Sequence, residues 1–156
     1  MDLENEDFRL FVEYAERCQL KYMVIGGFAM YLNGISRTTE DVDVWMEPTH
    51  ENGQRLICTL LGMGYEEEEL SHVKTLDFTQ IQVFGLNNYI DVLTVVHRKF
   101  NFGDCYSRAL AFRNPHGHTI HFLHLNDLRE TKVLARRPQD LRDIVLIDDF
   151  LKKGAN

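Results

Sequence analysis

The stretch from Val24 to Trp45, VIGGFAMYLNGISRTTEDVDVW, decides the fold. An apolar run closes on Gly26 and Gly27, a segment of helical composition follows from Phe28 to Leu32, and Gly34 is placed to end it. After a polar connection come Asp41 and Asp43, interleaved with Val42, Val44 and Trp45. The order is strand, Gly-Gly turn, short helix, strand. Side chains on a strand alternate faces, so Asp41 and Asp43 point one way while the two valines point the other. Carboxylates forced together repel, and a cation or a shared proton must offset that repulsion. A divalent ion such as Mg²⁺ or Mn²⁺ is the simplest answer, because Mg²⁺ takes one or two carboxylates, keeps waters and completes its shell with substrate phosphates.

Counting back by twos along an extended approach brings Arg37 and Thr39 onto the same side as the acids. Gly26 and Gly27 permit close backbone approach to a ligand, and the helix after them aims its free N–H groups at an anion such as the phosphates of a nucleotide. A third acid, Asp91, lies on the apolar run YIDVLTVV, and three acids suit a site for two metal ions. In such a site Asp91 stands nearest the attacking hydroxyl. Arg129, Lys132 and Arg136 follow helical spacing and are candidates to neutralise phosphates.

Outside this stretch, Asp7 to Arg17 reads as an amphipathic helix, and residues 48–65 as a helix capped by Thr49 that ends near Gly62 to Gly64. KTLDFTQIQVFG (74–85) and NNYIDVLTVV (87–96) read as two strands joined by a turn. GDCYSRALAF (103–112) reads as a helix and HTIHFL (118–123) as a strand. Asn126 or Asp127 caps a helix running to about Arg136, and Pro138 opens a last helix whose Leu141, Ile144, Val145 and Leu151 are expected to face the core. The fold class is α/β (α+β): a mixed sheet flanked by helices.

The chain has 156 residues, 44% of them hydrophobic, which fits one domain over 1–156 with a sizeable core. A net charge of −7 argues against a broad basic face for duplex DNA. Cys18, Cys58 and Cys105 are scattered, so no disulfide framework or zinc knuckle is indicated and a reducing cytoplasm suits them. An acidic start and the lack of a long apolar stretch point away from export and from the membrane. His116, His118, His121 and His124 match no zinc spacing and read as surface and packing residues, and Trp45 reads as core.

IGGFAMYLNGISRTTEDVDVW together with KVLARRPQDLRDIVLI resembles the DNA polymerase β-like nucleotidyltransferase superfamily. More narrowly it is similar to the small bacterial branch that includes abortive-infection-type toxin nucleotidyltransferases, with aminoglycoside nucleotidyltransferases as more distant relatives. The resemblance is tight over Val24 to Met46, looser around Asp91 and intermediate from Leu128 to Asp149. It implies transfer of a nucleoside monophosphate from an NTP to a hydroxyl of tRNA, a protein or a small molecule, with metal on Asp41, Asp43 and Asp91. It further implies that Gly26 and Gly27 contact the triphosphate, that Arg37 and Lys132 bind phosphate, that Asp140 and Asp143 are structural, and that an antitoxin protein is a potential partner. The alternative is a non-catalytic nucleotide-binding or partner-binding module on the same fold.

Overall fold

The computed structural model describes residues 3–154. The helices are α1 (Glu6–Arg17), α2 (Gly26–Leu32), α3 (His50–Gly62), α4 (Ser71–Lys74), α5 (Phe102–Arg108), α6 (Leu125–Ala135) and α7 (Pro138–Gly154). The strands are β1 (Tyr22–Ile25), β2 (Val42–Met46), β3 (Val83–Gly85), β4 (Ile90–Leu93), β5 (Leu110–Arg113) and β6 (Thr119–Phe122). They form one six-stranded sheet in the order β3-β4-β2-β1-β6-β5. The sheet is mixed: β1 runs antiparallel to β2 and parallel to β6, and β2 runs parallel to β4. The fold class is therefore α+β. Among the described residues no helix is long and apolar enough to cross a membrane.

Local chemistry accounts for most of the elements. Asn5 and Thr49 accept hydrogen bonds from the amides of Phe8 and Asn52, capping α1 and α3. Phe8, Phe11, Val12 and Ala15 then bury one side of α1, and Leu56 and Leu60 bury one side of α3. β1 and β2 sit at the centre of the sheet and their valines are fully buried. Trp45 is core as expected: its indole N–H donates to the Thr94 carbonyl (3.0 Å), and its ring meets Phe102 edge-on.

Four expectations are corrected. Strand structure in KTLDFTQIQVFG is confined to Val83–Gly85, because the Asp77 carboxylate accepts from the amide and hydroxyl of Thr79 and folds that segment into a turn. GDCYSRALAF is not one helix. Ala109 leaves helical geometry at ψ 150°, and Leu110–Arg113 pairs with β6 across a turn containing Gly117 at φ +86°. On α7 the inner face carries Asp140, Asp143 and Ile147, while Leu141, Val145 and Leu151 are exposed and Ile144 is half-buried. Buried cations take up that inner face, as described below. Finally, Cys18 and Cys58 form a disulfide with 6.0 Å between Cα atoms. Packing of α1 on α3 brings them together across 40 residues, which their spacing in sequence hides, and cysteine usage then no longer argues for a reducing compartment. Cys105 is free and buried.

Candidate active site

Register sets the centre of the site. Asp43 on β2 lies between Ile25 on β1 and Asp91 on β4, and Asp43 and Asp91 are direct partners on parallel strands. Paired residues on neighbouring strands share a face, so the two carboxyls stand side by side, with their backbones about 4.8 Å apart. Their apolar neighbours Val42, Val44, Ile90 and Val92 point to the opposite face and are fully buried. Asp41 precedes β2 and is exposed. Thr39 donates its hydroxyl to the Asp41 carbonyl (3.2 Å) and so shapes the approach to the strand.

The glycines make room for these side chains. A Cβ on Gly26 would lie 2.9 Å from Oδ2 of Asp43, and one on Gly85 would lie 3.1 Å from Oδ1 of Asp91. A Cβ on Gly27 would meet Thr39 at 3.1 Å and the Arg37 guanidinium at 3.4 Å. In the fold, Gly26 and Gly27 lie against the side chains of Asp43, Thr39 and Arg37. Gly26 also has φ +68°, a left-handed geometry that disfavours a side chain. Gly26→Ala is expected to lower stability by about 1–2 kcal/mol and to displace the Asp43 carboxyl. Denaturant unfolding and Mg²⁺ titration of the variant check this.

Asp43 and Asp91 open into a cleft of about 440 Å³ whose polar lining also includes Lys132, Arg137 and Asp140. Val83, Leu93, Val96 and Leu128 supply apolar walls. Burial raises the Asp43 carboxyl above the usual carboxylate range, and the charges of Asp91 and Asp41 push it further. Arg137 and Lys132 offset only part of this. Half-buried like charge that the protein compensates only in part suits a cation. Among the described residues no three His, Cys, Asp or Glu side chains are gathered to hold a metal ion by themselves. The pair of carboxylates does fit Mg²⁺ or Mn²⁺ that keeps waters and takes phosphate oxygens as its other ligands.

Behind the acids is a buried ionic network. Asp143, 1% exposed at its side chain, accepts from Arg37 Nε (2.8 Å) and Lys132 Nζ (2.7 Å). Gln139 Nε2 adds a third donor at 2.9 Å. Asp140 accepts from Arg137 Nε (2.8 Å) and lies 3.8 Å from Lys132 Nζ. Burial alone would raise both carboxyls, but these donors outweigh it and hold both below the usual range. Arg37 and Lys132, expected at phosphates, each have a carboxylate partner in the fold, although Lys132 also lines the cleft.

The stripe of Arg129, Lys132 and Arg136 is not assembled. Arg129 pairs with Asp148 on α7 at 2.7 Å, and Arg136 ends α6 at φ +54° with its side chain exposed. That left-handed residue turns the chain so that Arg137 reaches the cleft instead. Sequence reasoning missed Arg137, for which the basic pair Arg136-Arg137 is the sole local signal. Among the four histidines, His118 pairs with Glu16 (2.7 Å) and His121 packs between Tyr22 and Tyr106. The chain matches no protein-family model and no curated protein.

Proposed function

We propose that the chain is a metal-dependent nucleotidyltransferase with the DNA polymerase β-like fold, moving a nucleoside monophosphate from an NTP to an acceptor hydroxyl. One observation carries the reading: Asp43 and Asp91 stand abreast on parallel strands, with space kept clear by Gly26 and Gly85, facing a cleft that also holds Lys132 and Arg137. Asp43 and Asp91 would hold Mg²⁺ or Mn²⁺, with Asp41 at the head of the strand completing the acid set. The bound ion supplies neutralisation of the triphosphate and acidifies the attacking hydroxyl. Lys132 and Arg137 attract the phosphates to the cleft, and Arg137 is the more available of the two because its side chain is 76% exposed. Asp91 is the carboxylate assigned to the proton of the acceptor.

A second reading, a non-catalytic nucleotide- or partner-binding module, is favoured by the pairing of Arg37 and Lys132 with Asp143, which leaves less free positive charge for a triphosphate. The two readings separate in one experiment. The protein is incubated with each α-labelled NTP and Mg²⁺ or Mn²⁺ in the presence of total tRNA, cell protein or aminoglycosides, with Asp41→Ala/Asp43→Ala as control. Label transfer by the wild type and none by the control is the expected result. Transfer that survives the double substitution overturns the mechanism, and NTP binding without any transfer selects the second reading.

A further inference from the structure

The site described above leaves the far edge of the sheet unused. β5 is an edge strand, and Leu110, Ala111, Phe112 and Arg113 are all exposed. Its ladder fixes where the backbone groups point. The Asn114 amide donates to the His118 carbonyl (2.8 Å), making these two a hydrogen-bonded pair. Alternation along an antiparallel ladder then turns the N–H and C=O of Leu110 and Phe112 toward β6, and those of Ala111 and Arg113 outward.

Side chains alternate as well. Leu110 and Phe112 share the face of their partners Phe122 and Ile120. Phe112 borders a groove of about 640 Å³ that Tyr31, Leu32 and Ile35 also line. Arg113 stands on the opposite face, and its guanidinium has no carboxylate partner among the described residues. An open backbone edge, an apolar groove on one face and an unpaired cation on the other together define a strand-shaped receptor.

We infer that this edge receives an extended segment of another protein, which adds to β5 and reads apolar, any residue, apolar, acidic opposite Leu110, Ala111, Phe112 and Arg113. The outward groups of Ala111 and Arg113 bond its backbone, its apolar residues cover Leu110 and Phe112, and its carboxylate faces Arg113 across the ladder. A second copy of this chain does not supply that charge. The stretch from Arg108 to Pro115 contains no acid, so β5 paired with β5 leaves each Arg113 uncompensated. The inference is independent of the chemistry assigned to Asp43 and Asp91.

The test uses the full chain and a short fluorescent peptide alternating valine and threonine with one glutamate, compared with the same peptide carrying lysine in place of glutamate. Fluorescence anisotropy is expected to show saturable binding of the glutamate peptide. Ala111→Pro removes an outward N–H and leaves the β5–β6 ladder intact, so it should weaken binding about tenfold or more. Arg113→Glu should exchange the preference in favour of the lysine peptide, an effect that misfolding does not produce. The inference is overturned by failure of the wild type to bind either peptide, by unchanged binding in Ala111→Pro, by unchanged preference in Arg113→Glu, or by self-association of the wild type through β5 that excludes the peptide.

Discussion

Asp43→Asn is expected to stabilise the fold at neutral pH while reducing the nucleotidyl transfer proposed above on the order of a thousandfold or more. The two effects have one origin. Burial, together with the charges of Asp91 and Asp41, raises the folded-state pKa of Asp43, so the folded chain binds its proton more tightly than the unfolded chain does. Stability is therefore lost as pH rises from the ordinary carboxylate range through that raised value, and the ionised side chain costs stability at every higher pH. Asparagine removes the cost. The difference between variant and wild type should vanish below the usual aspartate pKa, where both forms are neutral. Mg²⁺ should reverse the order at neutral pH by stabilising the wild type and leaving the variant nearly unchanged. Thermal unfolding against pH, with and without Mg²⁺, checks all of this without an acceptor. A variant that is less stable than the wild type in metal-free buffer at pH 7 contradicts the electrostatic account.

Asp143→Ala is expected to cost about 3–5 kcal/mol, because it leaves Lys132, whose side chain is 7% exposed, and Arg37, at 19%, without their carboxylate. Asp140, 3.8 Å from Lys132 Nζ, recovers only part of the loss. The pH signature is opposite to that of Asp43. The Asp143 carboxyl is held low, so its contribution is present above the ordinary carboxylate range and lost as pH falls through the folded-state value. Urea unfolding from pH 7 down to pH 3 should show a steep decline in the wild type and a shallower one in Asp143→Asn, which cannot titrate. Equal slopes would remove Asp143 from the network. Since Arg37 begins the segment leading to β2, loosening it is also expected to weaken Mg²⁺ binding at Asp43.

The residues that were legible in the sequence are those whose message is local. Thr49 and the apolar spacing of α3 announce a helix start, and the alternation through Asp43 and Val44 announces a strand with one polar face. The helical composition of residues 103–108 carries the helix reading of 103–112 into Leu110–Phe112, where pairing with β6 across the Asn-Pro-His-Gly turn (114–117) makes a strand instead. Phase with Asp41 and Asp43 for Arg37, and helical spacing for Lys132, suggest phosphate ligands, and no local pattern shows that α7 also supplies both with a carboxylate partner, Asp143.

The sequence by itself determined which segments form helices and strands near the centre, and that Asp41, Asp43 and Asp91 lie on or at strands with little structural need of them. Periodicity and turn chemistry act over a few residues, so they survive without any knowledge of neighbours. Only the tertiary structure decided that Asp91 stands beside Asp43, that Cys18 meets Cys58, and that Asp143 holds Arg37 across 106 residues. Charge pairing, strand register and disulfide formation depend on distance in space, and nothing in spacing along the chain fixes that distance until the sheet is assembled.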